Sequence, residues 1–140
     1  MTNMQTDWIA SRSLTDQTTG ETVVVLLGRP ERVAGVSAEE WRCGFLIKGG
    51  TPESIRYAHG LDAFQALSLA MEGIQVALAN SNRQLTWEGG ELGDTGFRRA
   101  VPQAFGLSFA REVDSMIDEK IQRFTDAASA RAKQKNPGAA

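Results

Sequence analysis

Near the start of the chain, apolar and polar residues alternate with a period of two, the mark of half-buried strands. Trp8, Ala10 and Arg12 alternate with Ile9, Ser11 and Ser13, predicting a first strand over residues 7–14. The turn-rich stretch Thr15-Asp16-Gln17-Thr18-Thr19-Gly20 separates it from residues 21–27, which are dense in β-branched side chains suited to a pleated surface. The two runs read as a β-hairpin. Residues 28–37 carry Pro30 and Gly35 and read as a connection. Ser37-Ala38-Glu39-Glu40 has capping-box spacing, yet the following Trp41-Arg42-Cys43-Gly44-Phe45-Leu46-Ile47-Lys48 is strand-like, so a strand with at most one helical turn before it is expected. Gly49-Gly50-Thr51-Pro52 then turns the chain into a short strand over residues 54–58.

After Leu61 the period changes to that of a helix. Asp62 is placed to cap it, Gln65 to complete a capping box and Leu61 to act as a staple. Phe64, Leu67, Met71, Ile74 and Leu78 share one face, beside a second row of small residues, Ala63, Ala66, Ala70, Gly73 and Ala77. The expectation is that the large stripe and its small neighbours are seated together on a sheet, with Asp62, Gln65, Glu72 and Gln75 outside. Asn80-Ser81-Asn82 ends this helix, and Leu85-Thr86-Trp87-Glu88 is a fifth strand. A second long helix is expected from near Ser108, with Phe109, Val113, Met116, Ile117, Ile121 and Phe124 on its apolar face. Glu112, Asp114, Asp118, Glu119 and Lys120 take the other face. Residues 127–140 lack large apolar side chains and contain Pro137-Gly138, which predicts a flexible tail. The order ββββαβα implies the α+β class: a mainly antiparallel sheet of about five strands with two long helices on one face, in a single domain over residues 1–126.

Composition narrows the function classes. Among 140 residues, 15 Lys and Arg stand against 17 Asp and Glu, a net charge of −2. With no basic stripe to neutralise phosphates, nucleic acid is not expected as a partner. No apolar run approaches the roughly 20 residues that cross a bilayer, so no membrane partner is expected either. The first residues lack a basic and an apolar signal segment, and the single Cys43 can form neither an internal disulfide nor a zinc cluster, so a cytoplasmic location is the expectation.

The chemistry-bearing candidates are few. Gly89-Gly90-Glu91-Leu92-Gly93-Asp94-Thr95-Gly96-Phe97 holds four of the chain's 14 glycines, followed by Arg98 and Arg99. Glycine loops expose backbone amides and can cradle phosphate, but Glu88, Glu91 and Asp94 would repel it, and no P-loop Lys-Ser/Thr pair is present. The acids match no EF-hand spacing, so no metal and no cofactor is expected. Glu91, Asp94, Thr95, Phe97, Arg98 and Arg99 are therefore candidates for contacting a partner or ligand. His59, the only histidine, joins them as the side chain that titrates nearest neutrality. A catalytic reading of His59 would enlist Glu53, Ser54 or Asp62, yet no nucleophile elbow exists and no catalytic residue is assigned. Trp8, Trp41 and Trp87 read first as core and second as exposed anchors for an interaction.

Three separated segments carry a resemblance: Trp41-Arg42-Cys43 running into Phe45-Leu46-Ile47, then residues 58–67 from Ala58-His59-Gly60-Leu61-Asp62 to Gln65-Ala66-Leu67, and Gly93-Asp94-Thr95-Gly96-Phe97. Over about residues 8–115 the chain resembles a bacterial domain family of unknown function, with a W-x-C strand, a G-[LV]-D-x-x-Q-A-L helix start and a G-D-[ST]-G-F-P loop. The resemblance implies a small stand-alone α+β protein and brings no catalytic residue. Two departures touch backbone stiffness: Gly44 and Arg98 stand where that family's pattern has proline.

Two function classes follow. The first is a non-catalytic protein-binding domain of immunity or antitoxin type, its partner another protein or a second copy in a homodimer; an accessory inhibitor of a phage or host complex shares its surface logic. The second is a small-ligand receptor or enzyme using the loop of residues 89–97 with His59, Arg98 and Arg99, which requires those groups to converge.

Overall fold

Strand periodicity becomes strand pairing wherever a turn lets the ladder close. The computed structural model describes residues 7–36, 38–50 and 53–135. Its elements are β1 (Trp8–Asp16), β2 (Thr22–Gly28), β3 (Glu31–Arg32), β4 (Trp41–Lys48), β5 (Arg56–Gly60), α1 (Ala63–Ala79), β6 (Leu85–Thr86), a 3-10 turn (Gln103–Phe105) and α2 (Gly106–Lys135). The cap expected at Ser37 and the turn residues Thr51 and Pro52 fall outside the described residues. The chain forms two compact units, Met1–Arg99 and Ala100–Ala140.

In the first unit every strand pairing is antiparallel. Phe45 on β4 pairs with Leu27 of β2 and Arg56 of β5, so those two strands lie on opposite edges of β4. Arg42 pairs with Glu31 and His59, which puts β3 on the same edge as β2. The sheet therefore runs β5, β4, then β2 with its continuation β3, then β1 and β6. With α1 and α2 this is the α+β class read from the sequence. The two-residue β3 was not expected: beyond Pro30 the chain rejoins β4, held by the Glu31–Arg42 ion pair at 2.7 Å. β6 is shorter than expected because Glu88 adopts φ 54°, outside the strand region.

Pairing register also sorts the two faces. Arg12 lies opposite Val25, Val25 opposite Ile47 and Leu27 opposite Phe45, so these side chains share a face. That face carries the core: Leu14, Val23, Val25, Leu27, Cys43, Phe45 and Ile47 are buried, joined by Leu85.

α1 packs across β4 and β5. Its cap forms as read, with Asp62 Oδ1 accepting from the Gln65 N–H at 2.8 Å and Gln65 Oε1 accepting from the Leu61 N–H at 2.7 Å. Its buried face matches the expectation only in part. Ala66, Ala70, Ile74 and Leu78, spaced by four, are the buried residues, whereas Phe64 is 83% exposed and Met71 is exposed as well. The docked face takes Ala66 and Ala70 from the small row and Ile74 and Leu78 from the large one, and the backbones approach too closely over the first turns for Phe64 and Met71 to enter. A Cβ on Gly60 would lie 2.6 Å from the Ala66 backbone nitrogen, and one on Gly73 would lie 3.1 Å from the Phe45 ring. Leu61, expected as a staple, is exposed instead.

The second unit is the 3-10 turn and α2. This helix starts at Gly106 and continues to Lys135, past residue 126, where the sequence reading begins a tail. Ala127, Ala128, Ala130, Arg131, Ala132, Lys133 and Gln134 are strong helix formers, so propensity carries the helix beyond its apolar stripe. None of its residues is buried.

Candidate functional site

The glycine-rich loop closes on a side chain that sequence reasoning passed over. Arg12 points from β1 onto the α1 face of the sheet, where its guanidinium lies 3.8 Å from the Trp87 ring centroid and 4.6 Å from that of Phe97. It also donates to the Thr95 carbonyl at 3.2 Å. The loop curls over it through its own backbone: the Gly93 N–H donates to Leu85, Trp87 to Asp94, and Asp94 to Glu91. Gly96 has φ 77°, and a Cβ there would lie 2.5 Å from Arg12 Nη1 and 2.6 Å from the Trp87 ring, so only glycine closes the turn.

Asp94 organises the exit from this turn. Its Oδ1 accepts from the Gly96 N–H and from Arg98 Nη1, both at 2.9 Å, and these bonds hold its carboxyl below the usual range, the backbone amide contributing most. The Thr95 hydroxyl accepts from the Phe97 N–H, and the Phe97 ring packs against the core. Asp94, Thr95, Phe97 and Arg98 are thus brought together, but as the fastenings of a clasp around Arg12. Glu91 contributes its backbone carbonyl while the residue stays exposed, and Arg99 is exposed beyond the clasp.

His59 is elsewhere. It sits on β5 with Nδ1 3.0 Å from Glu40 Oε1. β4, β2 and β1 separate β5 from β6, where the clasp begins, a span of about 19 Å at the usual spacing of adjacent strands. The convergence of His59 with the glycine loop that a catalytic reading requires does not occur. Among the described residues no three His, Cys, Asp or Glu side chains gather as a metal site. Cys43 is fully buried, its Sγ 3.3 Å from the Gly28 carbonyl, and burial pushes its thiol pKa up, away from the reactive thiolate.

A second polar cluster also escaped the sequence reading. Asp16, almost fully buried, accepts from Arg83 Nε at 2.8 Å and from the Thr18 N–H at 2.9 Å. Arg83 also reaches Glu21 at 2.9 Å and the Gly49 carbonyl. The Arg83 hydrogen bond, followed by that from Thr18, holds the Asp16 carboxyl below its ordinary range. The cluster ties the β1–β2 turn to the end of β4 and the approach to β6, a structural role.

Between α1 and the sheet lies an open cleft of about 570 Å³, floored by Phe45, Ile47 and Val76. Arg56 from β5 and Glu72 from α1 line it, both half-buried; neither side chain forms an ion pair or hydrogen bond among the described residues, and the Arg56 guanidinium lies 5.9 Å from the Phe45 ring centroid.

α2 carries an exposed apolar stripe. Phe109, Met116, Ile117, Ile121 and Phe124 follow one another at helical spacing, and all five are exposed, Met116 and Phe124 by about two thirds. No helix among the described residues is long and apolar enough to cross a membrane. A water-facing stripe of this size is what protein contacts bury.

A model of a domain family of unknown function, DUF6968, matches residues 10–99, which takes in the sheet, α1 and the clasp and ends where the second unit begins. No curated protein and no solved structure matches the chain.

Proposed function

The chain belongs to the DUF6968 family of domains of unknown function, and from that premise we propose that it works without catalysis, by binding another protein through α2. One observation carries this reading: a 30-residue helix exposes six large apolar side chains, five of them on one stripe, and buries none of its residues. Most helical stability in proteins comes from packing an amphipathic face, so a helix of this composition implies a surface to receive it. Asp94, Thr95 and Arg98 support the same conclusion, since their bonds close the loop over Arg12. A role of immunity or antitoxin type is the concrete form that we favour.

The test is capture from the native host with the full chain and with an Ile117→Asp/Ile121→Asp variant. Wild type should retain a defined protein, itself included, that the variant loses. Equal retention by both would overturn the reading.

The cleft favours a second reading, a receptor for a small zwitterion with an apolar body, because it sets an uncompensated cation and an uncompensated anion above an apolar floor. Leucine and phenylalanine are the probes. Saturation-transfer signals that vanish in Arg56→Gln would support this reading, and their absence in wild type would end it.

A further inference from the structure

We infer that the partner of α2 is a second copy of this chain, paired antiparallel along the helix. This rests on the protein-binding reading above and gives that surface an occupant. Three features of α2 point the same way.

The first is charge. Residues 106–118 hold Arg111 against Glu112, Asp114 and Asp118, a net −2, while residues 119–135 hold Lys120, Arg123, Arg131, Lys133 and Lys135 against Glu119 and Asp126, a net +3. Parallel pairing would set like halves together, whereas antiparallel pairing sets each acidic half on a basic one. The helix dipole accounts for Lys133 and Lys135 in the last turn but not for the rest of the segregation, since the first turn of α2 carries no acid and Lys120 and Arg123 lie mid-helix.

The second is register. With the two-fold axis between Asp118 and Glu119, Val113 meets Phe124 and Met116 meets Ile121, while the smaller Ala110 meets Ala127. Lys120 falls within the stripe and meets Ile117 of the other copy, its aliphatic stem lying along the seam, while Asp118 and Glu119 point away from it.

The third is area. The five exposed apolar side chains offer roughly 100 Å² apiece, so a symmetric pair buries about 1,000 Å² before polar contributions, the floor for a specific interface. Other assemblies leave one of these features unused: a basic partner would match only the first half, and an acidic partner only the second.

Disulfide trapping in the full chain decides the arrangement. Ala110→Cys and Ala127→Cys are each expected to stay uncrosslinked alone and to give a disulfide-linked dimer when mixed, with Cys43 silent because it is buried. Crosslinking of either variant alone would show parallel pairing and overturn the proposal. Sedimentation should give a mass twice that of the chain, halved by Phe124→Asp with the circular dichroism of the first unit's sheet unchanged. A dimer that survives Phe124→Asp uses another surface, which also overturns it. A wild-type monomer that captures a host protein, lost in the stripe variant, refutes self-pairing and leaves protein binding standing; a monomer that captures nothing refutes both.

Discussion

Two helices of similar sequence pattern meet opposite fates. α1 seats Ala66, Ala70, Ile74 and Leu78 out of contact with water, while α2, with more large apolar side chains on its stripe, buries nothing. Apolar bulk does not decide burial here. α1 docks because Gly60, Ala66, Ala70 and Gly73 let it come close to β4 and β5, and its bulkiest residue, Phe64, is left outside. α2 lacks such a run of small residues beside its Phe and Ile side chains, and these stay exposed.

The sharpest test of this contrast is to truncate one isoleucine in each helix. Ile74→Ala should cost the first unit about 3 kcal/mol, since the side chain is fully buried and its removal leaves a cavity. Ile117→Ala should change that unit's stability to urea by less than about 0.5 kcal/mol, as should Phe64→Ser. A large loss from Ile117→Ala in dilute solution would break the distinction.

Next in size is the close approach itself. Gly60→Ala places a methyl group 2.6 Å from the Ala66 backbone nitrogen, so strand and helix must part, at a cost of about 2 kcal/mol. Ser68 lies on the same helix but is exposed, so Ser68→Ala, which also alters one small side chain, should be near neutral in the same unfolding assay. Equal losses from the two variants would mean that the tight seat of α1 is not what holds it.

These positions also show how far the sequence could be read. The hairpin, β4, β5 and the Asp62 cap were legible because each depends on residues within a few positions of one another. The face on which α1 docks was not, because periodicity marks Phe64 and Ala66 as near neighbours on the helix surface but does not say how near the sheet comes. Arg12 was hidden for a different reason: its partners Thr95, Trp87 and Phe97 lie some 75 to 85 positions away, and an arginine in a strand looks like a solvent-facing polar residue. The Asp16–Arg83 pair spans 67 positions and leaves no local signal. The G-D-T-G-F segment was visible as a motif, whereas its purpose, closing over Arg12, became visible only in three dimensions.

A smaller effect is expected at the clasp. Arg12→Gln removes the stacking on Trp87 and Phe97, worth about 1–2 kcal/mol in a partly desolvated setting. Trp87 fluorescence should shift red as its ring gains water, and the family-matched unit should otherwise stay folded. If Arg12→Gln instead abolished capture of a partner while stability held, the clasp would be a contact surface, and the division of labour between a closed first unit and an open α2 would need redrawing.

The finest test concerns pH and is confined to the first unit. The Asp16 carboxyl is held below its ordinary range, chiefly by the Arg83 hydrogen bond. A carboxylate whose folded pKa lies below its unfolded value stabilises the fold fully above the unfolded value of about 4, and that contribution fades as pH falls through the folded value. Wild type should therefore lose stability from about pH 4 downward, and Asp16→Asn, less stable than wild type at neutral pH, should show a shallower loss over the same acid range. Parallel acid profiles for the two proteins would mean that the Arg83 cluster does not couple protonation to folding, and that the first unit is held by its apolar seat on α1 alone.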